Sequence, residues 1–255
     1  MCFEFDAVPP DLPPEVRRVA GGAAAEVLEL ESADGTRFSA AFAGAAEARG
    51  PAVVIYPDVR GLYPFYIELA ERFAEAGHHA IAVDYFGRTA GLGPRGEDFE
   101  YTEHVPRTRS SQIQADTHAA LDELAQRTGE RRAVTVGFCF GGGESLLATT
   151  NRELGLAGGV GFYPGLVRAR WGLEGPLDHA AEMHGPLLAL FGGADQGITP
   201  EQREEFDRRL SEAGIEHEFH VYPGAPHSFF DRKQEEYAEA SEDAWRRVLA
   251  FLDRT

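Results

Sequence analysis

The sequence predicts an α/β fold: a mostly parallel, doubly wound sheet flanked by helices on both faces. Three observations carry this. The runs 52–56, 80–83, 133–136, 158–162 and 187–191 are short and apolar without polar alternation, the character of strands buried on both sides. Stretches with helical apolar spacing lie between or after most of them, and such crossovers make neighbouring strands parallel. The chain's 255 residues, 43% apolar and 26% charged, can form a large core without metal or disulfide staples.

Taken in order, residues 1–22 hold four of the fifteen prolines and close on Gly21-Gly22, which predicts an extended arm over a single domain spanning 23–255. Segments 27–31 and 37–42 flank Asp34-Gly35 and read as an N-terminal hairpin. Strand 52–56 leads to helix 63–76, stopped by Gly77, and strand 80–83 leads to helix 111–126. Strand 133–136 and helix 142–150 follow, then strands 158–162 and 187–191, helix 200–213, strand 218–222 and helix 235–252. Two connections, 86–110 and 163–185, exceed 20 residues and are rich in Gly, Pro, Arg and aromatics. Segments of that length are commonly lids, and both start where open α/β sheets place their ligand crevice.

Charge excludes some functions. Asp plus Glu number 42 against 24 Lys plus Arg, a formal −18, and such a field repels phosphate backbones and anionic lipid surfaces. No nucleic-acid or membrane partner is expected. Two cysteines, Cys2 and Cys139, are too few for a disulfide framework. The acidic start Glu4-Phe5-Asp6 does not suit a signal peptide, and no apolar run approaches membrane-spanning length. A cytoplasmic protein, monomeric or a small homo-oligomer, is expected.

The chemistry concentrates in Val134-Thr135-Val136-Gly137-Phe138-Cys139-Phe140-Gly141-Gly142-Gly143. An apolar strand entering Gly-x-Cys-x-Gly before a helix is the nucleophile-elbow pattern, whose flanking glycines let the backbone pass closely. At a helix N-terminus the amide dipoles favour a thiolate. A thiol also needs a base and an orienting acid. His227, in Pro226-His227-Ser228-Phe229, and Asp195, in Gly193-Ala194-Asp195, follow apolar strands, and the order nucleophile, acid, histidine is that of α/β-hydrolases.

With these motifs, Pro57-Asp58-Val59-Arg60-Gly61-Leu62 and Asp84-Tyr85-Phe86-Gly87-Arg88, the chain resembles the dienelactone hydrolase (carboxymethylenebutenolidase) family, of the α/β-hydrolase fold, over residues 24–252. The resemblance implies a Cys139-His227-Asp195 triad that hydrolyses small lactones or esters through an acyl-thiol intermediate, without cofactor or metal. It implies an oxyanion hole from the amides of Val59 and Phe140, a thiol-modulating role for Asp58 where the family commonly has glutamate, and substrate-carboxylate binding by Arg88. Where dienelactone-cleaving members have an arginine four residues after the histidine, this chain has Asp231, with Arg232 one step later. Arg60, Phe86, Phe99, Tyr101, Tyr163 and Trp171 are further candidates to line the pocket.

Two other readings use the same residues: a non-catalytic or redox-sensing binding protein with a reactive thiol, and an acyltransferase sharing the acyl-enzyme. Weaker patterns point elsewhere. Gly91-Leu92-Gly93-Pro94-Arg95-Gly96 opens no apolar helix, and Pro94 removes a phosphate-binding amide. His217 and His220, three apart on a strand, point to opposite faces, while His179 and His184 share a loop with Asp178 and Glu182 and read as solvated.

Overall fold

The computed structural model describes residues 4–16, 24–93 and 95–255. Cys2, the Gly21-Gly22 close of the arm and Pro94 lie outside them.

One eight-stranded sheet organises these residues. Its strands are β1 (Glu26–Glu31), β2 (Arg37–Ala43), β3 (Ala52–Tyr56), β4 (Ala80–Val83), β5 (Ala133–Phe138), β6 (Gly158–Phe162), β7 (Leu187–Gly192) and β8 (His217–Tyr222). Their order is β1-β2-β4-β3-β5-β6-β7-β8. The β1/β2 hairpin adds antiparallel to β4, and every other pairing is parallel. The expected doubly wound α/β class is therefore observed, with the hairpin at one edge.

The helices are α1 (Pro64–Glu75), α2 (Gly87–Ala90), α3 (Tyr101–His104), α4 (Ser110–Thr128), α5 (Phe140–Ala148), α6 (Pro200–Glu212) and α7 (Ala238–Arg254). Three differences from the expected elements have physical causes. The connection 86–110 is not open loop but carries α2, α3 and a 3-10 turn, and 163–185 carries two more 3-10 turns. Helix α5 starts two residues before Gly142 because its glycines pack as helix against the sheet: a Cβ on Gly141 would lie 2.0 Å from the Pro57 carbonyl oxygen. Residues 235–237 form a 3-10 turn before α7 begins.

Strand alternation divides the core between the two faces of the sheet. On β3, Val53 and Ile55 join Phe65, Leu69, Phe73, Trp245 and Phe251 from α1 and α7, while Val54 and Tyr56 join Ile113, Leu121 and Leu124 from α4. This is the period-two alternation of a sheet packed on both sides. The arm belongs to the first face: Ala7 and Leu12 are buried in it, and the Trp245 indole donates to the Pro10 carbonyl at 3.1 Å. Among the described residues no helix is long and apolar enough to cross a membrane.

Candidate active site

Parallel strands leave their carboxyl ends on one side, and the ends of β5, β6, β7 and β8 build the site. Cys139 sits between β5 and α5 at φ 56°, ψ −113°, a left-handed conformation that costs a non-glycine residue about 1–3 kcal/mol. The bend exists because its neighbours have no side chains. A Cβ on Gly137 would meet the Gly141 carbonyl oxygen at 2.0 Å. The Cys139 amide donates to Phe162 at 3.0 Å, and its carbonyl accepts from Gly143 and Gly165. The thiol, 7% exposed, lines a cavity of about 860 Å³.

Asp195 and His227 reach the same cavity on loops that are laced together. Gly193 donates to Tyr222 at 2.8 Å and Ala194 to Ala225 at 2.9 Å. Gly192 permits this, since a Cβ there would lie 2.4 Å from the Pro226 carbonyl oxygen. His227 Nδ1 consequently lies 2.6 Å from Asp195 Oδ2, and the ring also hydrogen-bonds with Cys139. The ring packs on buried Tyr163, centroids 4.8 Å apart. Tyr163 and Ser228 have φ of 36° and 59°; with Cys139 they are the non-glycine residues of positive φ among those described. Cys139 and Ser228 line one cavity, and Tyr163 packs directly behind its histidine.

The electrostatics follow from this contact. Burial opposes charge on His227, but attraction to the Cys139 thiolate, together with hydrogen bonds to Asp195 and to Cys139, outweighs it and pushes the ring up to about 9. Burial alone would raise Asp195; the hydrogen bond and charge of His227, with the Gly197 and Ile198 amides, hold it below the usual carboxylate range. Both shifts favour a protonated imidazole between a carboxylate and a sulfur.

Val59 and Phe140 line the cavity. Phe140 opens α5, where the first amides of a helix lack intrahelical acceptors. Asp58 is fully buried, and its carboxylate is held by Arg60, with Nη2 to Oδ2 at 2.8 Å. Burial raises it despite Arg60, and repulsion from Cys139 adds to the rise.

Arg88 lies apart from these residues. It does not line the cavity; its guanidinium grips Asp116 at 2.5 Å and Asp34 at 3.0 Å. Asp116 is buried beneath the hairpin turn, and a buried carboxylate needs a cation more than a distant substrate does. Arg232 pairs with Asp11. Of the other pocket candidates, Tyr101 and Trp171 line the cavity, whereas Arg60, Phe86, Phe99 and Tyr163 are absent from its lining.

Sequence reasoning missed Val167, Arg168 and Ile198, which also line it. Arg168 is buried, stacks over Phe140 at 4.6 Å and pairs with Glu144. The only signal was the arginine and aromatic content of the 163–185 connection. Elsewhere, His217 pairs with Asp207, His220 lies near Asp243, and His179 with Glu174 and Glu182. Among the described residues no group of three or more potential ligands could hold a metal ion.

Comparison with known proteins agrees with this architecture. The model of the Dienelactone hydrolase family matches residues 38–255. A carboxymethylenebutenolidase of Rhodococcus opacus is 28% identical over 214 residues, covering 80% of this chain and 81% of that protein. A Methylorubrum extorquens protein assigned as a carboxymethylenebutenolidase is 29% identical over 205 residues, covering 78% and 70%. The crystal structure of a Klebsiella pneumoniae protein assigned as a dienelactone hydrolase superposes with a TM-score of 0.78 at 27% identity, over 91% of this chain and all of that one.

Proposed function

Since the chain belongs to the dienelactone hydrolase family, and is thereby a lactone or ester hydrolase of the α/β-hydrolase superfamily, we propose that Cys139, His227 and Asp195 are its catalytic triad and that it works through an acyl-thiol intermediate. The observation that carries this is His227, hydrogen-bonded both to Asp195 and to a thiol at a strained elbow inside the cavity.

In the resting state the proton resides on His227 and the negative charge on sulfur, so the nucleophile is already formed. The thiolate attacks the carbonyl carbon of a lactone or ester, and the electron pair moves to oxygen, where the Val59 and Phe140 amides receive it. Each such donor is worth about 3 kcal/mol of transition-state stabilisation. As the adduct collapses, the C–O bond breaks and the departing alkoxide takes the imidazolium proton, leaving a thioester. Water then attacks, giving its proton to His227, and the acid departs as the C–S bond breaks and the ion pair is restored. Asp195 holds the ring's tautomer and stabilises its charge.

Asp58, at close electrostatic range of the thiolate, tunes this ion pair, and Arg60 limits its repulsion. We read residues 23–255 as one catalytic domain, with residues 1–22 as its arm, acting on a small neutral carbonyl compound without a cofactor. Steady-state turnover of a small activated ester tests the assignment. Cys139→Ala and His227→Ala should each lower kcat/KM by about 10³-fold or more, and the double variant by hardly more than either. Intact mass should show an acyl adduct on the wild type and none on Cys139→Ala. A Cys139→Ala enzyme that retains its rate removes the proposal.

A further inference from the structure

Asp231, four residues beyond His227, is occupied with the chain itself. It is buried, and its Oδ1 accepts the amides of Val8 at 3.1 Å and Lys233 at 3.0 Å. The same segment grips the arm three more times: the Arg232 amide donates to the Val8 carbonyl at 2.9 Å, and Arg232 and Lys233 pair with Asp11 and Asp6. Further along the arm, Phe5 stacks on Tyr63 at 5.9 Å. These ties carry Glu4 to the cavity, whose lining it shares with Ser228 and Gln234. The segment just after His227 is therefore spent on anchoring an arm that delivers an anion to the cavity.

The other charges lining the cavity form no ion pair with Glu4. Arg168 is neutralised by Glu144, while the single positive charge of His227 faces both Asp195 and the Cys139 thiolate. Arg170 is exposed and stacks on Trp171, on the separate connection after β6. The whole chain adds a field of formal charge −18, which works in the same direction as Glu4.

We propose that the arm is a specificity strap, in which Glu4 makes the site select neutral or cationic esters and lactones over carboxylate-bearing ones. This rests on the hydrolase reading above. The experiment uses two 4-nitrophenyl esters of equal acyl length, one ending in methyl and one in carboxylate, and follows the ratio of their kcat/KM values. In the full-length wild type the neutral ester should lead. Glu4→Arg should reduce that lead roughly tenfold and Glu4→Gln by roughly half as much on a logarithmic scale, with both effects shrinking in 0.5 M salt, as expected for one partly screened charge pair. Glu4 is exposed, so neither variant endangers folding. A ratio unmoved by Glu4→Arg, with the neutral ester still turned over, overturns the strap alone. No turnover of either ester by the wild type overturns the hydrolase reading and the strap with it.

Discussion

At the scale of single residues, the protonation of His227 is the property from which reactivity follows. Its folded value of about 9 stands above the ordinary histidine range, so the proposed ion pair should hold at neutral pH and dissolve as pH rises through 9. The sign is that of a cation gaining an anionic partner: the stabilisation is fully present below the ordinary value of about 6.5 and lost as pH climbs past the raised one. Two outcomes follow from the same group. Alkylation of Cys139 by iodoacetamide should remain fast at pH 6, where an ordinary thiol is nearly silent, and kcat/KM should fall above pH 9 as the ring loses the proton it gives to the leaving oxygen. Stopped-flow alkylation and a pH–rate profile check both. The residues of the proposed triad could be picked out because each follows an apolar strand in a fixed order. The fate of Arg88 was not: its partners, Asp34 and Asp116, lie 54 and 28 positions away in the chain, and no local pattern marks that pairing.

Among the elements, the turn from β5 into α5 depends on glycine more than any other feature described. Gly137→Ala would force its Cβ into the Gly141 carbonyl, with no flexible atom to yield, and should cost ~3 kcal/mol or more. Gly129 caps α4 at φ +78°, but with open space around it. Gly129→Ala should cost only the left-handed backbone penalty, ~1 kcal/mol. Urea denaturation of both variants, read by circular dichroism, separates steric exclusion from conformational preference. The strands β3 to β7 could be read from sequence because burial on both faces leaves almost only apolar residues in them, Thr135 apart. Helix α5 was placed late because a run of three glycines reads as a breaker, whereas here the absent side chains let the helix touch the sheet. The short helices between β4 and α4 escaped notice because four residues are too few to show a period.

For the whole molecule, charge is the dominant feature outside the core. Most of its ion pairs are exposed and contribute little individually, while an excess of 18 negative charges opposes compaction at every separation within a screening length. Raising sodium chloride from 20 to 500 mM should therefore increase the thermal midpoint by about 3 °C rather than lower it; differential scanning calorimetry decides, and a fall would mean the surface pairs outweigh the repulsion. The arginine bias of the basic residues has a further effect. Lys233 is the sole lysine in the sequence, and its ammonium pairs with Asp6 beside the place where the arm is fastened. A lysine-directed label, cross-linker or resin would thus find one side chain to react with, and coupling there would break its pair with Asp6 of the arm, so an immobilised preparation would report the selectivity of a loosened cavity mouth instead of the native one.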